Sequence, residues 1–347
     1  MKTLISLILL SIGLNCNQPS PNDFHFIGDI VHAAKKIKGL NFVATPNPYP
    51  NNPMNAVKAI GANWIAVIPY GFTRMNQPSV GYNADWQWWG ERPEGVQKTI
   101  ELAKASGVSV ILKPQVYVPG GWTGDLDFKS EEDWESWEKD YEAFLIPFAE
   151  MADSLDVEIL CVGTEFKKGS IKREQFWRNL IKKVRGIYKG KLTYAANWDE
   201  YPDVPFWDVL DYAGINAYFP LTNSKTPKVA ELKKAWQPYL KEIRQFYKKV
   251  KKPMLFTEYG YLSVDGCAYN TWELESKVKQ LDINEKAQAN AFHALFETFW
   301  GEPYWNGGFL WKWFPNMHGG EGYNERDYTP QGKTGQEVLK KWFLEKK

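Results

Sequence analysis

The sequence predicts an α/β chain folded as a single (β/α)8 TIM barrel. Short apolar, β-branched runs alternate eight times with stretches of helical period, and no long linker interrupts them. A chain of 347 residues is long enough for one such barrel. No Gly-rich phosphate fingerprint follows the first run, which removes the main reason to prefer a doubly wound dinucleotide fold.

The first run, residues 39–44, leads into helical period over 52–60. Residues 64–70 form the second run. Arg92-Pro93 then starts a helix over 93–105, because proline fits the first helical turn. The third run spans 108–118. The helix over 131–155 carries Trp134, Trp137, Tyr141, Phe144, Leu145 and Phe148 at i, i+3, i+4 spacing, which makes one apolar face. Runs at 157–162, 192–197 and 212–219 alternate with an amphipathic helix over 173–188 and a short one over 205–210. A long helix over 229–250, basic on its outer face, precedes the seventh run at 254–257. A helix over 284–300, the eighth run at 308–314 and a helix over 334–344 close the series.

The leader has a different character. Met1-Lys2 supplies a positive charge, and residues 3–14 form an apolar run too short to span a membrane, as in a secretory signal peptide. Cys16 follows directly, in Gly13-Leu14-Asn15-Cys16, ahead of a polar stretch. This resembles a bacterial lipoprotein signal, in which the cysteine becomes the acylated first residue, although Asn15 stands where a small residue is usual. The expected division is a signal over 1–16, a lead-in over 17–37 and the catalytic barrel over 38–347. The protein is expected to be exported and lipid-anchored to a bacterial membrane or cell surface, otherwise secreted or periplasmic, and monomeric.

Composition excludes several partners. Lys plus Arg number 42 against 41 Asp plus Glu, a net charge of +1. A nucleic-acid partner or polybasic membrane attachment normally requires a basic excess. Cys161 lies in an apolar run and Cys267 in a polar loop, which reads as two separate thiols. His25, His32, His293 and His318 lack metal-ligand spacing, so neither a zinc site nor another cofactor is expected. The 17 tryptophans exceed what a hydrophobic core requires.

In a barrel of this kind chemistry belongs at the carboxyl ends of the strands. The fourth run ends in Gly163-Thr164-Glu165-Phe166, and the seventh in Phe256-Thr257-Glu258-Tyr259. A glutamate at an apolar strand end is costly unless it is paired or used. Two facing one mouth suit glycoside hydrolysis, in which one carboxylic acid protonates the leaving oxygen and the other carboxylate attacks carbon. Salt-bridged barrel residues are the structural alternative.

These motifs resemble the large clan of retaining (β/α)8 glycosidases. Within it, the Gly-Thr-Glu form most resembles glycoside hydrolase family 113, whose characterised members are β-1,4-mannanases. The resemblance runs from Lys38-Gly39-Leu40-Asn41-Phe42 to Trp311. It implies Glu165 as the acid/base, Glu258 as the nucleophile and an endo-acting β-mannanase. Most clan members carry Asn before the acid/base, where it binds the sugar 2-hydroxyl. Thr164 stands there instead and leaves that contact unassigned.

Other candidates fall at positions the clan uses. Arg74, after the second run, is expected to hold the nucleophile charged through a forked hydrogen bond, with a surface arginine as the alternative. Tyr218, after the sixth run, is expected to donate to Glu258, with core packing as its alternative. Period-two alternation puts Asn216 and Tyr218 on one face. Trp311 is expected to floor the site. Gln115, Trp122, Asn197 and Trp198 are candidates for contacts to sugar hydroxyls and ring faces.

Sugars present apolar C–H faces ringed by hydroxyls, so their sites combine flat aromatics with hydrogen-bonding groups. Trp86, Trp88 and Trp89 crowd the second loop and fit that need. Trp134, Trp137 and Trp177 have helical spacing and read as packing. The expected partner is β-mannan or a related neutral polysaccharide. The alternatives are a hydrolase of another β-glycan or of manno-oligosaccharides, and a non-catalytic glycan-binding surface lipoprotein.

Overall fold

The computed structural model describes residues 36–315 and 324–345. The leader with Cys16, most of the lead-in, His25, His32 and His318 lie outside the described residues. Eight parallel strands close on themselves in sequence order: β1 (Ile37–Phe42), β2 (Trp64–Val67), β3 (Ser109–Leu112), β4 (Ile159–Thr164), β5 (Lys191–Asn197), β6 (Ala213–Asn216), β7 (Met254–Tyr259) and β8 (Trp305–Trp313). The expected (β/α)8 TIM barrel is the observed fold.

The helices around it are α1 (Met54–Ala59), α2 (Pro93–Ala105), α3 (Glu131–Ser154), α4 (Lys167–Lys172), α5 (Glu174–Ile187), α6 (Val229–Val250), α7 (Thr271–Glu275), α8 (Glu285–Phe299) and α9 (Thr334–Glu345). Their starts follow local chemistry. Pro93 opens α2, the Ser130 hydroxyl accepts the Asp133 N–H at the head of α3, and Asn284 caps α8 through the Ala287 N–H. The single helix expected over 173–188 is preceded by the separate short helix α4. Residues 205–210 hold one 3-10 turn, Trp207–Val209, and α7 is an addition to the expected series.

Two expected strands prove to be broken at prolines. Past β2, Pro69 precedes a hairpin of Tyr70–Arg74 and Gln77–Gly81. Past β3, Pro114 precedes Gln115–Tyr117, which pairs in parallel with the hairpin's first strand. Proline has no N–H to give a central ladder. The chain therefore leaves the barrel at both points and builds a three-stranded flap beside its mouth.

The core has two layers. Inside the barrel sit Ile37, Ala66, Ile111, Ile159, Cys161, Leu255 and Phe309 among others. Cys161 thus serves as a small lumen residue, and both Cys161 and Cys267 are free and buried. At Gly39 the Phe309 ring lies 2.2 Å from where a Cβ would stand, so only glycine admits that ring to the lumen. Between strands and helices runs the larger layer, which takes up Trp134, Trp137, Tyr141, Phe144, Leu145 and Phe148 of α3 and Trp177 of α5. Among the described residues no helix is long and apolar enough to cross a membrane.

Trp177 is 1% exposed and packs against Phe166, Tyr194 and Phe206 around the end of β4. Trp177→Ala is expected to destabilise the fold by about 3–5 kcal/mol, read from denaturant unfolding midpoints. A loss under about 1 kcal/mol would remove Trp177 from the core.

Candidate active site

The two strand-end glutamates meet over the barrel mouth, each in its own set of partners. Glu258, on β7, is nearly buried. Its Oε1 accepts Lys113 Nζ at 2.5 Å and Gln115 Nε2 at 2.9 Å, and its Oε2 accepts the Tyr218 hydroxyl at 2.7 Å. Lys113 follows β3 on the far side of the barrel and is fully buried. Its ammonium also lies 5.6 Å from the centre of the Trp311 ring, a cation–π distance. An ammonium withdrawn from water needs an anion, and Glu258 is that anion.

Glu165 follows β4 directly, with φ of 57° and its N–H bonded to the Ala195 carbonyl of β5 at 2.9 Å. Its Oε2 accepts the Trp122 indole N–H at 2.7 Å, and its Oε1 accepts Asn216 Nδ2 at 2.9 Å. Both donors are neutral. Burial pushes the carboxyl up to about 7, and the nearby charge of Glu258 adds to the rise. The two hydrogen bonds hold it down in part, and Glu200 pushes it up slightly. Asn216 also accepts the Thr257 hydroxyl at 2.8 Å, so a single amide connects Glu165 to the residue before Glu258.

Burial also raises the Tyr218 phenol well above its ordinary range, with the Glu258 charge adding to it. The phenol therefore stays protonated and donates. The pair of carboxyls is asymmetric. One is a charge-paired anion with both oxygens occupied, and the other is a carboxyl that carries a proton near neutrality. That combination can attack at one atom and protonate at another.

Both glutamates lie where two cavities meet. One, of about 440 Å³, reaches past Gln115 to Tyr70 and Tyr117 of the flap. The other, of about 590 Å³, is walled by Asn197, Trp198 and Trp272. Trp122 and Trp311 border both. Trp198 and Trp272 stack at 5.9 Å with 16° between their planes. Flat rings and hydrogen-bonding groups thus line a passage on either side of the carboxyls.

Eight of the nine residues expected from sequence come together here, some in altered parts. Gln115 and Trp122 reach the two carboxyls themselves. Asn197 lines the second cavity and bonds Asp199 Oδ1 at 3.0 Å. Arg74 is the exception. It stands exposed at the end of the flap strand opposite Gln77, carried from the mouth when the chain leaves the barrel at Pro69, and the cation on Glu258 is Lys113. A lysine inside the apolar run Val110-Ile111-Leu112-Lys113 is the signal that sequence reasoning passed over. Asn216 was placed on the face of Tyr218 but given no role, and Trp272, on the five-residue helix α7, was missed. Trp86 and Trp88 lie outside both cavities, exposed, with Trp86 against Phe72. Trp89 packs on Tyr49.

Comparison with known proteins places the chain in a family and among similar folds. The model of Glycoside Hydrolase Family 113 matches residues 46–333. The β-mannanase of that family from Alicyclobacillus acidocaldarius, solved in complex with ManMIm, is 25% identical. The match covers 89% of this chain and 97% of that one at a TM-score of 0.74. A complex of a family-113 β-1,4-mannanase is 24% identical over 89% of this chain and 99% of its own, at 0.76. The β-glucuronidase of Ruminococcus gnavus shares the fold at 15% identity and a TM-score of 0.59, with half of its length covered. No curated protein sequence matches significantly.

The opposing influences on Glu165 can be measured directly. Carbon-13 NMR of the glutamate carboxyls is expected to show Glu165 titrating near 7. Glu258→Gln removes the neighbouring negative charge and should lower that value, whereas Trp122→Phe removes a donor to the ionised form and should raise it. An unchanged Glu165 titration in Glu258→Gln would mean that the two carboxyls do not share a site.

Proposed function

This chain belongs to glycoside hydrolase family 113, and on that premise we propose that it is an endo-acting β-1,4-mannanase that retains anomeric configuration. The observation that carries the mechanism is the unequal pairing of the two carboxyls. Glu258, held as an anion by Lys113, Gln115 and Tyr218, is the nucleophile. It attacks the anomeric carbon while Glu165, protonated because burial and Glu258 raise its pKa, delivers its proton to the departing sugar oxygen. Glu165, now an anion, then takes a proton from the water that releases the glycosyl-enzyme.

Attack inside a chain is supported by the passage extending on both sides of the carboxyls. The mannan substrate is supported by the family and by the two β-mannanases of similar structure. A near-zero net charge suits a neutral polymer better than a uronic-acid one. The nearest other reading is the same chemistry on another neutral β-glycan or on short manno-oligosaccharides.

Removing either carboxylate should cost several orders of magnitude in rate. Glu258→Gln is expected to fold and to be nearly inactive on mannan, and Glu165→Ala likewise on unactivated substrates. NMR of the first product formed by the intact enzyme is expected to show the β anomer, and short oligosaccharides should appear before mannose. Initial release of the α anomer would overturn retention, and wild-type turnover by folded Glu258→Gln would overturn the assignment of the nucleophile. Release from glucan with none from mannan would move the substrate to the other reading.

The address follows as a separate proposal. Residues 1–16 act as an export signal, Cys16 is acylated, and the barrel works as a monomer on the outer side of a bacterial membrane. Cys16→Ser is expected to move the protein from the membrane fraction to the soluble exported fraction. Membrane retention of Cys16→Ser at the wild-type level would exclude the lipid anchor.

A further inference from the structure

We propose that Tyr194 and Glu200 form a buried positioning relay that aims the Glu165 carboxyl, and so act in proton transfer without touching substrate. The inference rests on reading Glu165 as the acid/base. Glu165 leaves β4 in a left-handed conformation, which the Cβ of any residue but glycine disfavours. Such a step persists where its neighbours hold it from both ends. The Glu165 N–H is tied to Ala195, as described. The next residue is held on both sides: the Phe166 N–H donates to the Tyr194 hydroxyl at 2.7 Å, and the Phe166 carbonyl accepts the Ser170 N–H at 2.6 Å.

The Tyr194 hydroxyl is oriented in turn. It donates to Glu200 Oε1 at 2.6 Å, and the same oxygen accepts the Ser170 hydroxyl at 3.0 Å. Glu200 Oε2 accepts the Asn197 N–H at 3.0 Å. Tyr194, Ser170 and Glu200 are fully buried. The described hydrogen bonds to Glu200 come from neutral donors alone, an arrangement that a merely space-filling position would not require.

The Tyr194 ring packs among Trp177, Phe206 and Trp207, where a phenylalanine would fit equally. The hydroxyl is the part that reaches the turn after β4. Gly163 gives it access, since a Cβ there would stand 2.8 Å from Trp177 and 3.0 Å from Tyr194. The relay thus converts burial of an acid on the β5 side into a fixed direction for the residue that must meet a glycosidic oxygen. Small errors of position at such a residue are expensive in rate.

The test compares two substrates on the full chain. One is an unactivated β-1,4-manno-oligosaccharide, whose leaving sugar needs a proton. The other is the matching 2,4-dinitrophenyl glycoside, whose leaving group departs without one. Tyr194→Phe is expected to lose about tenfold to a hundredfold in kcat/KM on the first and to stay within about threefold of wild type on the second. Glu200→Gln should show the same contrast, smaller in size, and it decides the matter by the same comparison if Tyr194→Phe does not fold. Equal losses on both substrates, or no loss on either, would overturn the relay. Glu165→Ala, measured in parallel, separates the premise. If it too fails to discriminate between the substrates, the acid/base assignment falls. If it discriminates and Tyr194→Phe does not, the relay alone falls.

Discussion

The pairing of Lys113 with Glu258 is the constraint on which the mouth of the barrel depends. The ammonium has no access to water, and removing one partner of such a pair ordinarily costs about 3–5 kcal/mol. β3 and β7 lie opposite one another in the ring, so the ion pair spans the mouth. The ion pair stands above an apolar lumen that includes Ile37, Ile111, Ile159, Leu255 and Phe309. Gln115 and Tyr218 complete the coordination of the carboxylate, and each takes an oxygen position that solvent would otherwise hold. The price of burying the cation is therefore an anion held rigid and charged.

Once Glu258 is committed as that anion, Glu165 cannot be a second one without opposing it. Its own partners, an indole and an amide, carry no formal charge, and its proton is retained to about neutral pH. Two identical side chains thus acquire different protonation states from what surrounds them. Asn216 couples the two halves, since one face of its amide meets Glu165 and the other accepts Thr257 beside Glu258. The left-handed turn at Glu165 ends the strand, and the chain passes through Phe166 into α4 while the Glu165 side chain meets Trp122 and Asn216.

The tryptophans divide by what can cover them. Those on helix stripes, Trp134, Trp137 and Trp177, are sealed between helix and barrel. Trp122, Trp198, Trp272 and Trp311 keep a face toward the passage, where an apolar sugar face can replace water. Trp86 and Trp88 belong to neither group. They follow the flap out from the barrel, although their place in the sequence, in a loop after the second strand, is the same kind of place that Trp122 has after the third.

The order of strands and helices was legible in the sequence, because burial on both faces writes a strand as an apolar run and a covering helix writes its stripe at period 3.6. The two glutamates were legible for the same reason, as charges where such runs end. Even the flap was written there, in Pro69 and Pro114, though each was read as part of one long strand. The sequence alone therefore determined the barrel, its carboxylates and the family. Only the tertiary structure decided which cation meets Glu258. Lys113 is separated from it by 145 residues and meets it across the closed ring, whereas Arg74, nearer to the expected pattern, is carried off with the flap. Contacts across a barrel mouth depend on where each strand stops and how its chain turns away. That is set by closure of the whole sheet and not by any local run of residues.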